Sequence, residues 1–240
     1  AERNAEMVRR YMEKPVPLGI AARGQGGDVV GFAQYVRQLG GLIITCVGNG
    51  PERDRAHLLV NCYRGKGAVL DPYTAWVAAE IEVLPSLKSF FGSLRTPGST
   101  FGMIDRMIHH AEEGRGREQM TLSYRDGQFY KNEITDEFRD AQIAALKRIR
   151  DAIEVNCEVV PVVVPDDLSE PAEMLLTVGG SHFLDAALLA VETNSILLSD
   201  DLRYRDFSSL AVKCDGIWLQ IALSAACGAK HLTPSDYAKS

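Results

Sequence analysis

The sequence predicts an α/β protein, a parallel sheet sandwiched between layers of helices. Two observations carry this. Short β-branched apolar runs alternate with segments of helical spacing, which is the rhythm of a sheet covered by helices on its faces. Two of those runs, "AVLD" and "ILLSDD", end abruptly in aspartate. At 240 residues with 46% hydrophobic side chains, the chain can bury a sizeable core. Residues 1–66 read as an N-terminal α/β extension or the remnant of a neighbouring domain, and residues 67–240 as the main domain.

In order along the chain, "AERNAEMVRRYMEK" and "GDVVGFAQYVRQLG" have helical spacing, the second with Val29, Phe32, Ala33, Val36 and Leu39 on one side. "GLIITCVGNG" reads as a strand closed by a turn; the third glycine of a dinucleotide fingerprint and a following G-K-[ST] are both missing. "HLLVNCYRGKGAVLD" reads as a strand, a glycine turn and a short strand, Ala68 to Leu70, ending on Asp71. Pro72 suits the first turn of the next helix, which breaks near Pro85. "SLRTP" is a short extended piece, and "GSTFGMIDRMIHHAEE" a helix capped by Ser99 or Thr100 with Asp105 in its first two turns.

Asp126-Gly127 between alternating runs predicts a type I′ hairpin over "MTLSYRDGQFYKNEIT". "DEFRDAQIAALKRIRDAIEV" is a long amphipathic helix with Phe138, Ile143, Leu146 and Ile149 or Ile153 as its stripe. "EVVPVVVP" is a strand whose prolines restrict pairing. Then follow a helix capped near Ser181, the strand "SILLSDD", a loop at "RDFSSL" and a last helix from "GIWLQIALSAACGAK". The chain opens on Ala1 and closes in "HLTPSDYAKS", which reads as the entry to another helix, so a fragment of a longer protein is expected.

The formal charge of −6 disfavours a protein that binds nucleic acid over its whole surface, so any such role rests on a local basic patch. Five cysteines without C-x-x-C spacing give neither a zinc knuckle nor a disulfide framework. Charged opening residues and the lack of a membrane-length apolar window point to the cytoplasm and away from membranes.

The acids are the informative residues. In open parallel sheets the functional crevice lies beyond the carboxyl ends of the strands, where Asp71, Asp200 and Asp201 fall. Asp185 sits in "FLDAALLAV", almost wholly apolar, where a carboxylate needs a hydrogen bond, a cation or a metal; His182 is the one basic residue at helical spacing. Singly, each acid also reads as a cap or turn residue; together they favour an oxygen-ligand cation site. A phosphoacceptor domain would need about a hundred residues after its paired acids, and too few remain here.

These residues resemble the PIN-domain nucleases, named for the PilT N-terminus. "AVLDPYTAWVAAEIEVLPSL" is similar to the family's first strand and helix, and "LRTPGSTFGMIDRM" to its second, with Asp105 where glutamate is usual. "SHFLDAALLAVETN" and "ILLSDDLRYRD" resemble its later helix and its Thr/Ser-x-Asp strand. The resemblance spans roughly Gly67 to Ala226, with the hairpin and long helix as an insertion, and the arrangement is similar to that of PIN modules carried in large bacterial multidomain proteins.

It implies an acidic quartet of Asp71, Asp105, Asp185 and Asp201, with Ser199 and Asp200 as neighbours and Asp200 as a further metal contact. It also implies Mg²⁺ or Mn²⁺, a choice that suits carboxylate oxygens, and hydrolysis of RNA, or of DNA in some members. Cations must then hold the substrate: Arg203 and Arg205 with Ser199, and more distantly Arg95, Arg106, Arg125 and Lys131. Tyr124, Phe129 and Tyr130 are candidates to stack on bases, and His109 and His110 for acid/base work. Trp76 and Trp218 read as core. An inactive binding or assembly module is the alternative, and a homo-oligomer stays open.

Overall fold

The computed structural model describes residues 2–115, 119–125 and 128–240, with backbone alone at 2–5, 7, 119–125 and 128–133. Four helices come first: α1 (Glu2–Glu13), α2 (Leu18–Gly24), α3 (Val29–Gln38) and α4 (Gly50–Cys62). The strands expected at 41–50 and 57–62 do not form. Residues 41–49 join no ladder; their carbonyls meet the start of a later helix instead, Ile44 O accepting from Leu202 N at 3.0 Å. Asn49 caps α4 by accepting from Glu52 N at 2.9 Å, and Glu52 accepts in return from the amides of Val47 and Gly48. This reciprocal cap and Pro51 in the first turn turn "HLLVNC" into helix, with Ala56 and Val60 buried four residues apart. The N-terminal region is therefore helical.

The main fold follows as β1 (Ala68–Leu70), α5 (Pro72–Glu80), α6 (Leu84–Phe91), β2 (Leu94–Pro97) and α7 (Gly98–Glu113). Next come the hairpin strands β3 (Gln119–Arg125) and β4 (Gln128–Ile134), then α8 (Asp136–Asn156), β5 (Glu158–Val160) and α9 (Glu170–Gly179). The chain closes with α10 (Asp185–Glu192), β6 (Ile196–Leu198), α11 (Leu202–Val212), β7 (Gly216–Ile217), α12 (Leu219–Gly228) and α13 (Pro234–Lys239). The turn at Asp126-Gly127 lies outside the described residues, although β3 and β4 pair antiparallel on either side of it. Three expectations change. "RDFSSL" is part of helix α11, Ser169 caps a helix α9 that the periodicity did not reveal, and Phe138 is exposed while Ile143, Leu146, Ile149 and Ile153 form the buried stripe of α8.

Five strands form one sheet in the order β5-β2-β1-β6-β7, every pair parallel. Both faces are covered, which explains why β1 and β6 read as unbroken apolar runs. Ala68, Leu70, Ile196 and Leu198 face one core, while Val69 and Leu197 face the other, as the two-residue period of a strand demands. The chain moves from β1 outward through β2 to β5, then returns to the other side of β1 as β6. Between β1 and β6 the order reverses, and a ligand crevice opens at such a point beyond the carboxyl ends.

α2, α3 and Tyr73 of α5 share a third apolar cluster built on Leu18, Phe32 and Val36. It shares Val29 and Val77 with the edge of the larger core, so the N-terminal helices pack onto the sheet domain.

Candidate functional site

Two aspartates stand at the reversal point. Asp71 follows β1 and Asp201 lies three residues past β6; both are buried. Each is also the N-cap of the helix that starts there, which fixes its rotamer. Asp71 Oδ1 accepts from Thr74 N at 2.7 Å and Oδ2 from Thr74 Oγ1 at 3.2 Å. Asp201 Oδ1 accepts from Tyr204 N at 3.1 Å, and its Oδ2 accepts from Leu18 N, at the start of α2, at 2.6 Å.

Burial pushes Asp71 from the usual 3.8 up to about 6, against hydrogen bonds from Ser199 and Thr74. Burial pushes Asp201 up to about 7, despite the amides of Leu18 and Tyr204, and the neighbouring Asp71 charge adds to the rise. Two carboxylates kept this close without a cation compete for charge, and a proton or a metal ion relieves them.

Ser199, wholly buried, bonds the Asp71 carboxylate and accepts from Asp201 N at 3.2 Å. It positions both acids and is not open to substrate. Thr74, also wholly buried, does similar work, accepting from Asp200 N at 2.7 Å while bonding Asp71. The Asp200 carboxylate turns to α12, accepting from Leu219 N at 2.8 Å, which gives that helix the cap its own Trp218 cannot supply. Burial raises the Asp200 pKa, and it does not line the cleft described below.

Asp185, the first residue of α10, is buried and has protein partners where a metal was expected. Ser99 Oγ donates to its Oδ2 at 2.6 Å, and His182 Nδ1 lies 3.0 Å from the same oxygen. Ser99 is therefore not the cap of α7, which has Pro97 at that position and no side-chain cap bond. α10 likewise has no side-chain cap at Ser181.

Asp105 does not join the cluster. It lies six residues after Ser99, about 120° around the helix at 100° per residue. From there it reaches α8, where Arg150 Nε donates to Oδ1 at 2.7 Å, with about half of its side chain exposed. Among the described residues no three acid, histidine or cysteine side chains converge as metal ligands.

The expected substrate cations also divide. Arg205 is buried: its guanidinium donates to Ser199 O and, at 2.6 Å, to Thr45 O, and it lies over the Trp218 ring. Burial lowers its pKa, and it serves to bind residues 41–49 to the end of β6. Arg203 pairs with Asp206 at 3.1 Å. Arg95 bonds Glu158 and Ser195, the latter at the amino end of the strands, away from both acids. His109 pairs with Glu113 on the exposed side of α7. The side chains of Tyr124, Arg125, Phe129, Tyr130 and Lys131 lie outside the described residues. Trp76 and Trp218 are core.

A cleft of about 930 Å³ opens over Asp71 and Asp201. Along α7 it is lined by Ser99, Arg106 and His110, along the α9–α10 turn by Gly180 and His182, and along the N-terminal helices by Gly19, Arg23 and Gln34. Arg106 was among the expected cations; Arg23 and Leu18 were not, because the N-terminal region has no motif that ties it to the acids. Among the described residues Arg23 and Arg106 have no ion pair with an acid. The cleft thus has an acidic floor beneath walls that carry Arg23 and Arg106.

The donor set fits a hard divalent ion. Asp71 accepts three hydrogen bonds, from Thr74 N, Thr74 Oγ1 and Ser199, and Asp201 accepts from Tyr204 N and Leu18 N, so a lone pair remains on each carboxylate for a cation. Mg²⁺ binds through one or two carboxylates, with water and substrate phosphate completing its octahedron.

A family model described as a PIN domain associated with the TPR-GreAB-C-PIN system matches residues 69–210. Neither curated proteins nor solved structures gave a match to the chain.

Proposed function

Since the chain belongs to the PIN-domain family, we propose that it is a divalent-cation-dependent nuclease that hydrolyses phosphodiester bonds in RNA. The observation that carries this reading is the buried pair Asp71 and Asp201, at the ends of neighbouring strands where the strand order reverses, on the floor of a cleft whose Arg23 and Arg106 have no acid partner among the described residues. We take the PIN-like domain as residues 67–240, which includes the matched span 69–210, and because the family description names a multidomain system, further domains of a parent protein are proposed as its partners.

Asp71 and Asp201 would hold Mg²⁺ or Mn²⁺, which supplies Lewis-acid polarisation of the phosphate and a water of lowered pKa. The chain's own part is to fix and neutralise. Thr74 and Ser199 hold the Asp71 carboxylate, and Tyr204 N and Leu18 N that of Asp201, so neither has to reorganise during the reaction. Arg106 offers a guanidinium to a phosphate oxygen. Water oxygen attacks phosphorus as the bond to the leaving oxygen breaks; the water gives up one proton to solvent, and the leaving oxygen takes one up. His182, bonded to Asp185 and largely exposed on the cleft, is a group on this wall that can hand over such a proton.

The position of Asp105 favours a second reading, an inactive assembly module, because the second acid of the family pattern is spent on Arg150. Cleavage of a mixed single-stranded RNA pool with Mn²⁺ decides between them. The nuclease reading expects Asp71→Asn and Asp201→Asn each to lower the rate by about 100-fold or more, beyond the typical cost of losing a residue that merely supports a ligand. It expects Asp105→Asn to cleave at close to the native rate. No Mn²⁺-dependent cleavage, with Mn²⁺ leaving the melting temperature unchanged, would establish the assembly module.

A further inference from the structure

One wall of the cleft comes from residues 19–34, well outside the span that the family model matches. Two features tie this wall to the acids. The Leu18 amide donates to Asp201 Oδ2 at 2.6 Å, so the start of α2 is fixed on a carboxylate of the site itself. Five residues along, Arg23 lines the same cleft, exposed and with no acid paired to it among the described residues.

Arg23 leans on the turn between α9 and α10. Its guanidinium lies beside Gly180, where a Cβ on that residue would stand. Gly180 also has φ +98, a backbone conformation that other residues rarely adopt. The guanidinium thus rests on the turn that leads to His182 and Asp185, within the same cleft as Arg106 on α7. The chain has a net charge of −6, and many of its other arginines are neutralised by acids: Arg55 by Asp215, Arg115 by Asp140, Arg150 by Asp105 and Arg203 by Asp206. A guanidinium beside an acidic floor, with no acid partner among the described residues, can grip a phosphate through two parallel N–H bonds.

Building on the nuclease reading, we propose that residues 17–34 are a working part of the nucleic-acid site, with Arg23 as a contact to a backbone phosphate of the bound strand. The metal-binding acids then come from the matched domain, and part of the grip on the substrate comes from the segment before it.

The test is binding of a labelled single-stranded RNA by fluorescence anisotropy. It uses the full chain carrying Asp71→Asn, which keeps the strand from being cleaved, and a series of salt concentrations. Arg23→Ala is compared with Arg148→Ala, an exposed arginine of α8 away from the cleft. Thermal melting of each variant checks that it folds. The expected result is a loss of about 3- to 10-fold at 0.1 M salt for Arg23→Ala, with the slope of log K against log salt smaller by about 0.7. Arg23→Lys should keep the slope and bind more weakly than the parent, because a point charge replaces the fork.

Equal affinity and slope for the two alanine variants, with RNA still bound, would overturn the role of Arg23 and leave the nuclease reading standing. No RNA binding by the Asp71→Asn parent, repeated with the native chain in chelator, would overturn both.

Discussion

Asp71 is where the conflict between fold and chemistry is sharpest. Its carboxylate caps α5, which favours the charged form, yet burial has the larger effect and pushes it from 3.8 to about 6. A folded pKa above the unfolded one means that the folded chain binds more protons between those two values. Stability therefore falls as pH rises through this window, and above about pH 6 the full cost of the buried charge remains. Asparagine caps a helix nearly as well as aspartate and carries no charge. In chelator at pH 8, Asp71→Asn should raise unfolding stability by about 1–3 kcal/mol. The gain should fade as pH falls towards 4. Urea denaturation at a series of pH values measures this; a variant less stable than the native chain at pH 8 would show that the carboxylate's hydrogen bonds outweigh its desolvation. Saturating Mn²⁺ should remove the advantage, because it stabilises only a chain that binds it.

At the level of elements, the end of β6 is held by Arg205 rather than by strand pairing alone. Its fork reaches Ser199 O beside β6 and Thr45 O in the 41–49 segment, two carbonyls from parts of the chain far apart in sequence. Arg205→Ala leaves both carbonyls without this donor in a buried setting and should cost about 2–4 kcal/mol, read as a lower urea midpoint with unchanged slope. Arg205→Lys should recover little of it, because one ammonium cannot span the fork. This also explains which elements the sequence displayed. Strands β1 and β6 are legible because both of their faces are buried and their runs end in acid. Residues 41–49 have the same β-branched character, but their partner is a helix start and an arginine, which no local pattern announces. α11 is hidden for a related reason: Asp201 is read as the end of a strand while it also caps the following helix. Spacing placed Asp105 on a helix but could not give the phase of that helix against its neighbours, and the phase sends it to Arg150. The contact of Leu18 with Asp201 spans 183 positions, beyond any motif.

For the whole molecule, the question is whether residues 1–66 are an appendage or part of the folded unit. The apolar cluster of the N-terminal helices includes Tyr73 of α5 and is joined to the main core through Val29 and Val77. Arg37 Nη2 donates to Tyr73 Oη at 2.7 Å, adding a polar tie next to the acidic pair. Such continuity predicts one cooperative transition rather than two. Phe32, buried and edge-on to Tyr11 with ring centres 5.5 Å apart, is the residue to test because it lies in the N-terminal cluster and does not line the cleft. Phe32→Ala should cost about 3–5 kcal/mol. At roughly 2–4 °C per kcal/mol for a chain of this size, the single melting midpoint should drop by on the order of 10 °C. Far-ultraviolet and near-ultraviolet circular dichroism should report the same midpoint, since helices throughout the chain and the tryptophans of the main core would then unfold together. If the variant instead shows an early loss of helix while the near-ultraviolet signal keeps its native midpoint, the N-terminal helices fold apart from the sheet domain. The Leu18 amide would then hold Asp201 only while that separate layer is docked.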